Sequence, residues 1–445
     1  MPRKVQTRFE GSGASKFGIF SFIVLFFREL ELHRRFQKVP FKLGRNAVFK
    51  IEDRCLLLLA KFVLGIQRIY HLKPQLSTEL RIVKLLGLKR LPGKDVLYTF
   101  LRNLGKKGVQ ALKRIKEELY QEHGACDPKA EKVLDIDMST ISTEAKKRKG
   151  AVPGKNTRAK GKNCYQWTVA FLWGQVIWEK LSPGTTHCIT VLREAITNCC
   201  RIAGKIDVVR LDGGYFSREI ITFLRQQRLR FLIKIGSKIR YFRERLSKGE
   251  IPWSNLNPTT SFWDGGVVRN LLPNLNSPLR VVFVRNLRYI KRRRKKKGRV
   301  RTIRKKKVFY YAIVTNIYSR SARKLVKFYK KRWCIENFFK EAGNSFDKGK
   351  LPSSSFHGNA AYLTLLCIAY NIMRWFTWWF MPKGCQKLTL KTMRLRFIHQ
   401  AVEIRNEDNR LELIFPESYP YKAEVKYIQR WLNYWLNLTH VKEAA

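Results

Sequence analysis

From about Ser15 to Glu122 apolar residues recur every three to four positions, the spacing of amphipathic helices. The longest apolar run, Phe17 to Phe27, is too short to span a bilayer. It passes into Arg28-Glu-Leu-Glu-Leu-His33-Arg-Arg without a small-residue cleavage site, so it reads as a buried helix. Ser77 to Gly87 and Asp95 to Leu104 read as two helices around Leu91-Pro92-Gly93, with Gly87 as a stop and Asp95 as an N-cap. At Glu131 the period drops to two. Val133-Leu-Asp135-Ile-Asp137-Met-Ser-Thr140 predicts a strand with both aspartates on one face. Strands are also expected from Trp167 and from Gln175, and a helix at about 189–203. Ile206 to Asp212 reads as a buried strand, followed by a helix (217–227) and a strand (231–235), an alternating α/β layout.

From about 236 to 309 the texture is Pro-, Gly- and Asn-rich, with β-like segments at 279–284 and 308–314 and a charged loop expected between them. Then Tyr329, Arg332, Glu336 and Lys340, spaced three, four and four residues apart, are expected to share one face of one helix beside an apolar stripe of Phe328, Ile335 and Phe339. Such a row is also compatible with a surface helix carrying ordinary Glu/Lys pairs. A long apolar helix from Phe356 to Phe380 predicts burial, and Val425, Ile428, Leu432, Trp435 and Leu436 mark a last amphipathic helix.

Charge changes the picture. Among 445 residues, 90 Lys and Arg against 33 Asp and Glu give a formal +57, an excess that calls for a polyanionic partner, nucleic acid first. The expected loop holds Lys291, Arg292, Arg293, Arg294, Lys295, Lys296 and Lys297 in succession, so phosphate contact is expected there. The early helix pair is read either as a helical hairpin or as a helix-turn-helix in which Lys94, Tyr98 and Arg102 approach DNA. Nine scattered cysteines form no C-x-x-C pair, and the seven histidines show no zinc spacing; this predicts a reduced, intracellular protein whose metal ligands, if any, are carboxylates.

Three acids then stand out: Asp137 on a strand, Asp212 at a strand tip and Glu336 on a helix. Clustered carboxylates repel, and divalent cations relieve that repulsion while activating an oxygen nucleophile at a phosphodiester. Leu134-Asp-Ile-Asp137-x-Ser-Thr140, Arg210-Leu-Asp212-Gly-Gly-Tyr-Phe, and Tyr329-x-x-Arg332-x-x-x-Glu336-x-x-x-Lys340 with the downstream Ala369-Tyr370-Asn371 resemble the DDE transposases of bacterial insertion sequences. The nearest branch is the one with a Tyr-Arg-Glu-Lys signature and a β-rich insertion. The resemblance covers roughly residues 130–380.

It implies an RNase H-like mixed α/β sheet flanked by helices. The expected divisions are a helical N-terminal DNA-binding domain (1–125), the two parts of the catalytic domain (126–235 and 310–400), a β-rich basic insertion (236–309) and a C-terminal helical segment (401–445). It further implies Asp137, Asp212 and Glu336 as catalytic ligands of two Mg²⁺ ions, or Mn²⁺, with Tyr329 and Arg332 on phosphate near the cleaved end. Double-stranded DNA, at element ends and target, is the implied partner, in a homodimeric synaptic complex at the nucleoid in a bacterial cytoplasm. Asp135 shares a face with Asp137 and is an alternative first ligand. The signature's last Lys falls on Gly343, one turn beyond Lys340, which is the substitute contact. In some relatives a Trp of the insertion stacks on a flipped base; Trp253 and Trp263 occupy that region, as base contact or as core. A nuclease that does not join, and an inactive basic DNA-binding protein, stay open as alternatives.

Overall fold

The computed structural model describes residues 4–9, 15–124, 127, 129–145, 148–154, 160–236, 240–249, 251–275, 277–296, 299–344, 349–407 and 410–444. Eight strands organise the site: β1 (Val133–Ser142), β2 (Asn163–Leu172), β3 (Gln175–Pro183), β4 (Val208–Leu211), β5 (Arg230–Gly236), β6 (Thr260–Val268), β7 (Leu279–Lys296) and β8 (Arg299–Thr315). They lie in one sheet in the order β3-β2-β1-β4-β5-β8-β7-β6. β1, β2 and β3 form an antiparallel meander, and β4 and β5 run parallel to β1. This order and polarity are those of an RNase H-like core, as expected from the sequence. The β-rich insertion is not a separate sheet: β8 pairs antiparallel with β5, so the same sheet continues across residue 310 into β7 and β6.

Parallel strands need crossovers, and helices supply them on both faces. One face is covered by α5 (Cys188–Ala203) and α6 (Arg218–Gln226), whose Leu192, Ile196, Ile220 and Leu224 pack on Ile136, Val209 and Phe231. The other carries α7 (Ala322–Lys330), α8 (Trp333–Asn344) and α9 (Phe356–Phe380). Before the sheet come α1 (Phe20–Glu29), α2 (Ile51–Leu64), α3 (Lys94–Asn103) and α4 (Gly105–His123). α1 is buried from Phe20 to Phe27, in keeping with its apolar run. These helices, α9 and the last helix α10 (Lys422–Ala444) share one continuous apolar core. No single helix among the described residues is long and apolar enough to cross a membrane.

Four expectations are corrected. Gly93, not Asp95, caps α3, because the extended backbone ends there and Asp95 falls in the first helical turn. The basic run is not a loop: β7 and β8 pair without interruption from Arg280↔Thr315 out to Lys296↔Arg299, so Lys291–Lys296 have strand backbone, while Lys297 lies outside the described residues. The single helix expected around Glu336 is two, since Lys331 and Arg332 form a turn between α7 and α8. The C-terminal segment is not purely helical, because strands Glu403–Glu407 and Arg410–Ile414 form a small sheet with Lys4–Arg8 before α10 begins.

Candidate active site

β1 and β4 are adjacent, and register pairs Asp135 with Arg210. The two side chains form a buried, two-pronged ion pair, with Arg210 Nε and Nη2 each 2.6 Å from the Asp135 carboxylate. Arg210 Nη1 also donates to the Phe328 carbonyl of α7 at 2.5 Å, and the Cys334 thiol of α8 donates to Asp135 Oδ2 at 3.4 Å. Both carboxylate oxygens of Asp135 are therefore engaged in joining two strands to two helices. The planar fork of arginine suits this role better than an ammonium would.

Asp137, two residues on, meets a cavity of about 180 Å³ that it lines together with Asp212, Gly214, Tyr215, Gln166 and the start of α5 at Thr186, His187 and Cys188. Asp137 Oδ1 accepts from the Met138 amide at 2.9 Å, and Asp212, just past the end of β4, accepts from the Gly214 amide at 3.0 Å. Burial pushes the Asp137 carboxyl up to about 6; the nearby Arg332 opposes this, and Asp212 and Glu336 reinforce it. Arg332 occupies the turn between α7 and α8. It is only 4% exposed, with Nη2 2.8 Å from Asp137 Oδ2 and Nη1 3.3 Å from Glu336 Oε1. Its Nε and Nη2 lack a well-aligned hydrogen-bond acceptor among the described residues, so the Asp137 contact is an ion pair of charges and not a directed bond.

Hard carboxylate oxygens are suitable donors for a divalent cation, and Asp137, whose pKa the neighbouring Asp212 helps to raise, fits such an ion together with Asp212 on the same cavity wall. Glu336 is half-exposed and joins them through Arg332. Among the described residues no three His, Cys, Asp or Glu side chains converge on one point as a metal-holding set.

Tyr329 faces inward. It is 7% exposed, and its hydroxyl donates to the Leu211 carbonyl at 3.0 Å, directly before Asp212. Neither Tyr329 nor Arg332 presents its polar end to open solvent; both hold the acids in place. Lys340 is exposed, its ammonium 5.1 Å from the centre of the Trp333 ring. Lys94 and Arg102 are exposed on α3, whose Leu97, Phe100 and Leu101 turn to the core. The backbone of Lys291–Lys296 is placed in β7, well along the sequence from the acids. Trp263 stacks on Phe283 at 5.1 Å, and Trp253 lies 6.0 Å from Tyr310 with Arg285 over its ring, so both tryptophans are packed against neighbours.

Several site residues were not singled out from sequence. His187 caps α5 by accepting from the Ile189 amide at 3.3 Å. The Tyr215 hydroxyl is buried at the cavity without a hydrogen-bond partner among the described residues. Lys234 on β5 is near enough to Glu336 and Asp212 to be influenced by both, although burial, the largest effect, lowers its pKa. Tyr215 was within reach of sequence reading, as it belongs to the same Gly-Gly-Tyr-Phe segment as Asp212. His187 and Lys234 carry no local signal; only the fold brings them to the acids.

The sequence model of the transposase DDE domain, group 1, matches residues 71–434. No curated protein matches the chain. Among solved structures, a piggyBac transposase in a synaptic complex with hairpin DNA is similar over 86% of this chain and 78% of that chain, at 13% identity and a TM-score of 0.41.

Proposed function

Because this chain belongs to the transposase DDE domain group 1 family, we propose that it is the DNA transposase of a bacterial insertion sequence. In this reading it cuts at the element's terminal inverted repeats and joins the freed 3′-hydroxyls to target DNA. The observation that carries the reading is the convergence of Asp137 and Asp212 on one cavity, with Glu336 tied to Asp137 through Arg332.

Asp137 and Asp212 would hold Mg²⁺, or Mn²⁺ in its place, with Glu336 as the third ligand. Such an ion activates the attacking oxygen and neutralises charge on the phosphodiester. The chain's own residues set the stage for this. Asp135 and Arg210 fix β1 against β4, so that the carboxylates two residues further along each strand keep a constant separation. Tyr329 anchors the Leu211 carbonyl and thereby the backbone that carries Asp212. Arg332 balances the acids in the free protein; a DNA phosphate competes with them for its guanidinium and frees Asp137 and Glu336 for their ligand role. Lys340, Lys94, Arg102 and the basic β7–β8 hairpin add cationic contacts along the duplex. Two copies hold two ends in the synaptic complex, in the cytoplasm at the nucleoid.

The test is incubation of the purified protein with Mg²⁺, a labelled element end and a target plasmid. Joined product is expected from the native chain. Asp137→Asn and Asp212→Asn should bind the end and neither cut nor join. Cleavage without joining would refute transposition and leave a nuclease.

A further inference from the structure

The paired part of β7 and β8 extends well beyond its neighbours. β6 accompanies β7 only as far as Asn286, and β5 accompanies β8 only from Tyr311, so from Leu287 to Lys296 and from Arg299 to Val308 the two strands pair with each other alone among the described residues. At the usual strand rise this is a two-stranded ribbon roughly 30 Å long. Of the twenty-two residues from Leu287 to Val308, fourteen are Lys or Arg and none is Asp or Glu. The base of the ribbon is open to solvent: Arg288, Tyr289 and Lys305–Val308 are all exposed.

The register places like charges opposite one another. Arg288↔Lys307, Arg294↔Arg301 and Lys296↔Arg299 fall on one face of the ribbon, and Lys291↔Arg304, with Arg293 and Lys306 beside it, on the other. Directly opposed like charges destabilise a hairpin. A ribbon lying on one phosphate strand would need cations on one face and would leave the other polar or apolar. Cations on both faces are matched by anions on both sides. The major groove of duplex DNA provides this arrangement, with two phosphate rails flanking a channel about 12 Å wide that admits a two-stranded β-ribbon, whereas the minor groove, about 6 Å wide, does not.

We propose that the β7–β8 ribbon enters the major groove of duplex DNA, its two faces each meeting one phosphate rail. This rests on the DNA-processing reading above and adds to it a place and a mode of contact. It makes the ribbon a grip of low sequence selectivity, because phosphate contacts position a protein without specifying bases.

Anisotropy titrations of the full chain with a duplex of about 40 base pairs, at several salt concentrations, decide the matter. Two triple variants are compared, Arg294→Ser/Lys296→Ser/Arg301→Ser for one face and Lys291→Ser/Arg293→Ser/Arg304→Ser for the other. Each should flatten the salt dependence by about 2.7 in log–log slope, at about 0.9 for every phosphate no longer neutralised. A duplex whose major groove is filled by glucosylated hydroxymethylcytosine should bind the native chain no better than the variants, and netropsin in the minor groove should leave the difference intact. A slope change from one face only, or interference by netropsin and not by glucosylation, overturns the proposal. If neither triple changes the slope while the native chain still joins DNA, the ribbon proposal fails and the transposase reading stands. If the native chain fails to join, that reading fails, and the slopes still decide where the ribbon binds.

Discussion

Arg210→Leu tests whether Asp135 is a structural residue or the first metal ligand. The substitution removes both prongs of a buried pair and leaves the Asp135 carboxylate, among the described residues, with the Cys334 thiol as its remaining side-chain donor. Breaking a buried pair from one side costs about 3–5 kcal/mol, since an uncompensated charge stays behind. The Arg210 bond to the Phe328 carbonyl belongs to the same network, and its removal adds to the cost. Against a typical total of about 5–15 kcal/mol, that is a large fraction. Asp135→Leu should cost a similar amount by stranding Arg210, while the double variant should recover much of the loss, because matched apolar residues replace a buried pair at little or no cost. The assay is urea unfolding of the DNA-free chain followed by tryptophan fluorescence, with the coupling energy taken from the four proteins of the cycle. Single-variant losses below about 1 kcal/mol, or additive losses, would refute the structural role. So would an Asp135→Asn protein of native stability that cannot cleave DNA, which would make Asp135 the ligand.

Other outcomes follow from the same geometry. Tyr329→Phe leaves the Leu211 carbonyl without its buried donor and should cost about 1–3 kcal/mol in unfolding experiments with DNA affinity unchanged; reduced affinity at native stability would instead place the hydroxyl on a phosphate. Since the folded carboxyl of Asp137 sits at about 6 against an ordinary 3.8, its burial is tolerated while protonated and becomes costly as pH rises through 6. Without divalent ions, the stability of the native chain relative to Asp137→Asn should therefore fall by up to about 3 kcal/mol between pH 4 and 7. A flat difference in urea midpoints would remove that account. Lys234→Ala should slow DNA cleavage, because the ammonium influenced by Glu336 and Asp212 is removed; an unchanged rate would show that it has no part in the site.

Much of the core was legible because its strands obey period two or form short apolar runs. β1, β4 and β5 are such segments, and their helices carry the 3.6-residue stripe. The charged ribbon was not legible. Strand pairing in β7 and β8 continues in unbroken register from the apolar segments 279–284 and 308–314 into the charged residues, overriding a composition that by itself reads as a solvated loop. The break at Lys331–Arg332 was hidden too, because spacings of three and four residues look the same whether or not a turn interrupts them. Period two also placed Asp135 and Asp137 on one face without distinguishing them. What separates them is overhead: Arg210 and α8 close over the first, and the cavity opens beside the second. Tyr329 and Arg332 were expected on phosphate, and their inward direction depends on β4 and β1 lying beneath α7 and the turn that follows it.

β3 is the outer strand of the meander, and an outer strand ordinarily leaves a row of unpaired amides and carbonyls. Here Asn371 of α9 completes Val176: its Oδ1 accepts from the Val176 amide at 2.9 Å and its Nδ2 donates to the Val176 carbonyl at 2.8 Å. A primary amide thus substitutes for the peptide group of a further strand. Trp375 donates to Gln175 one turn along, and Thr364 donates to Glu179 lower down, so the helix seals that margin at several points. The sheet is therefore closed to strand addition at its meander end. Copies of the chain cannot associate by extending the sheet there, and the same closure withholds a template for aggregation.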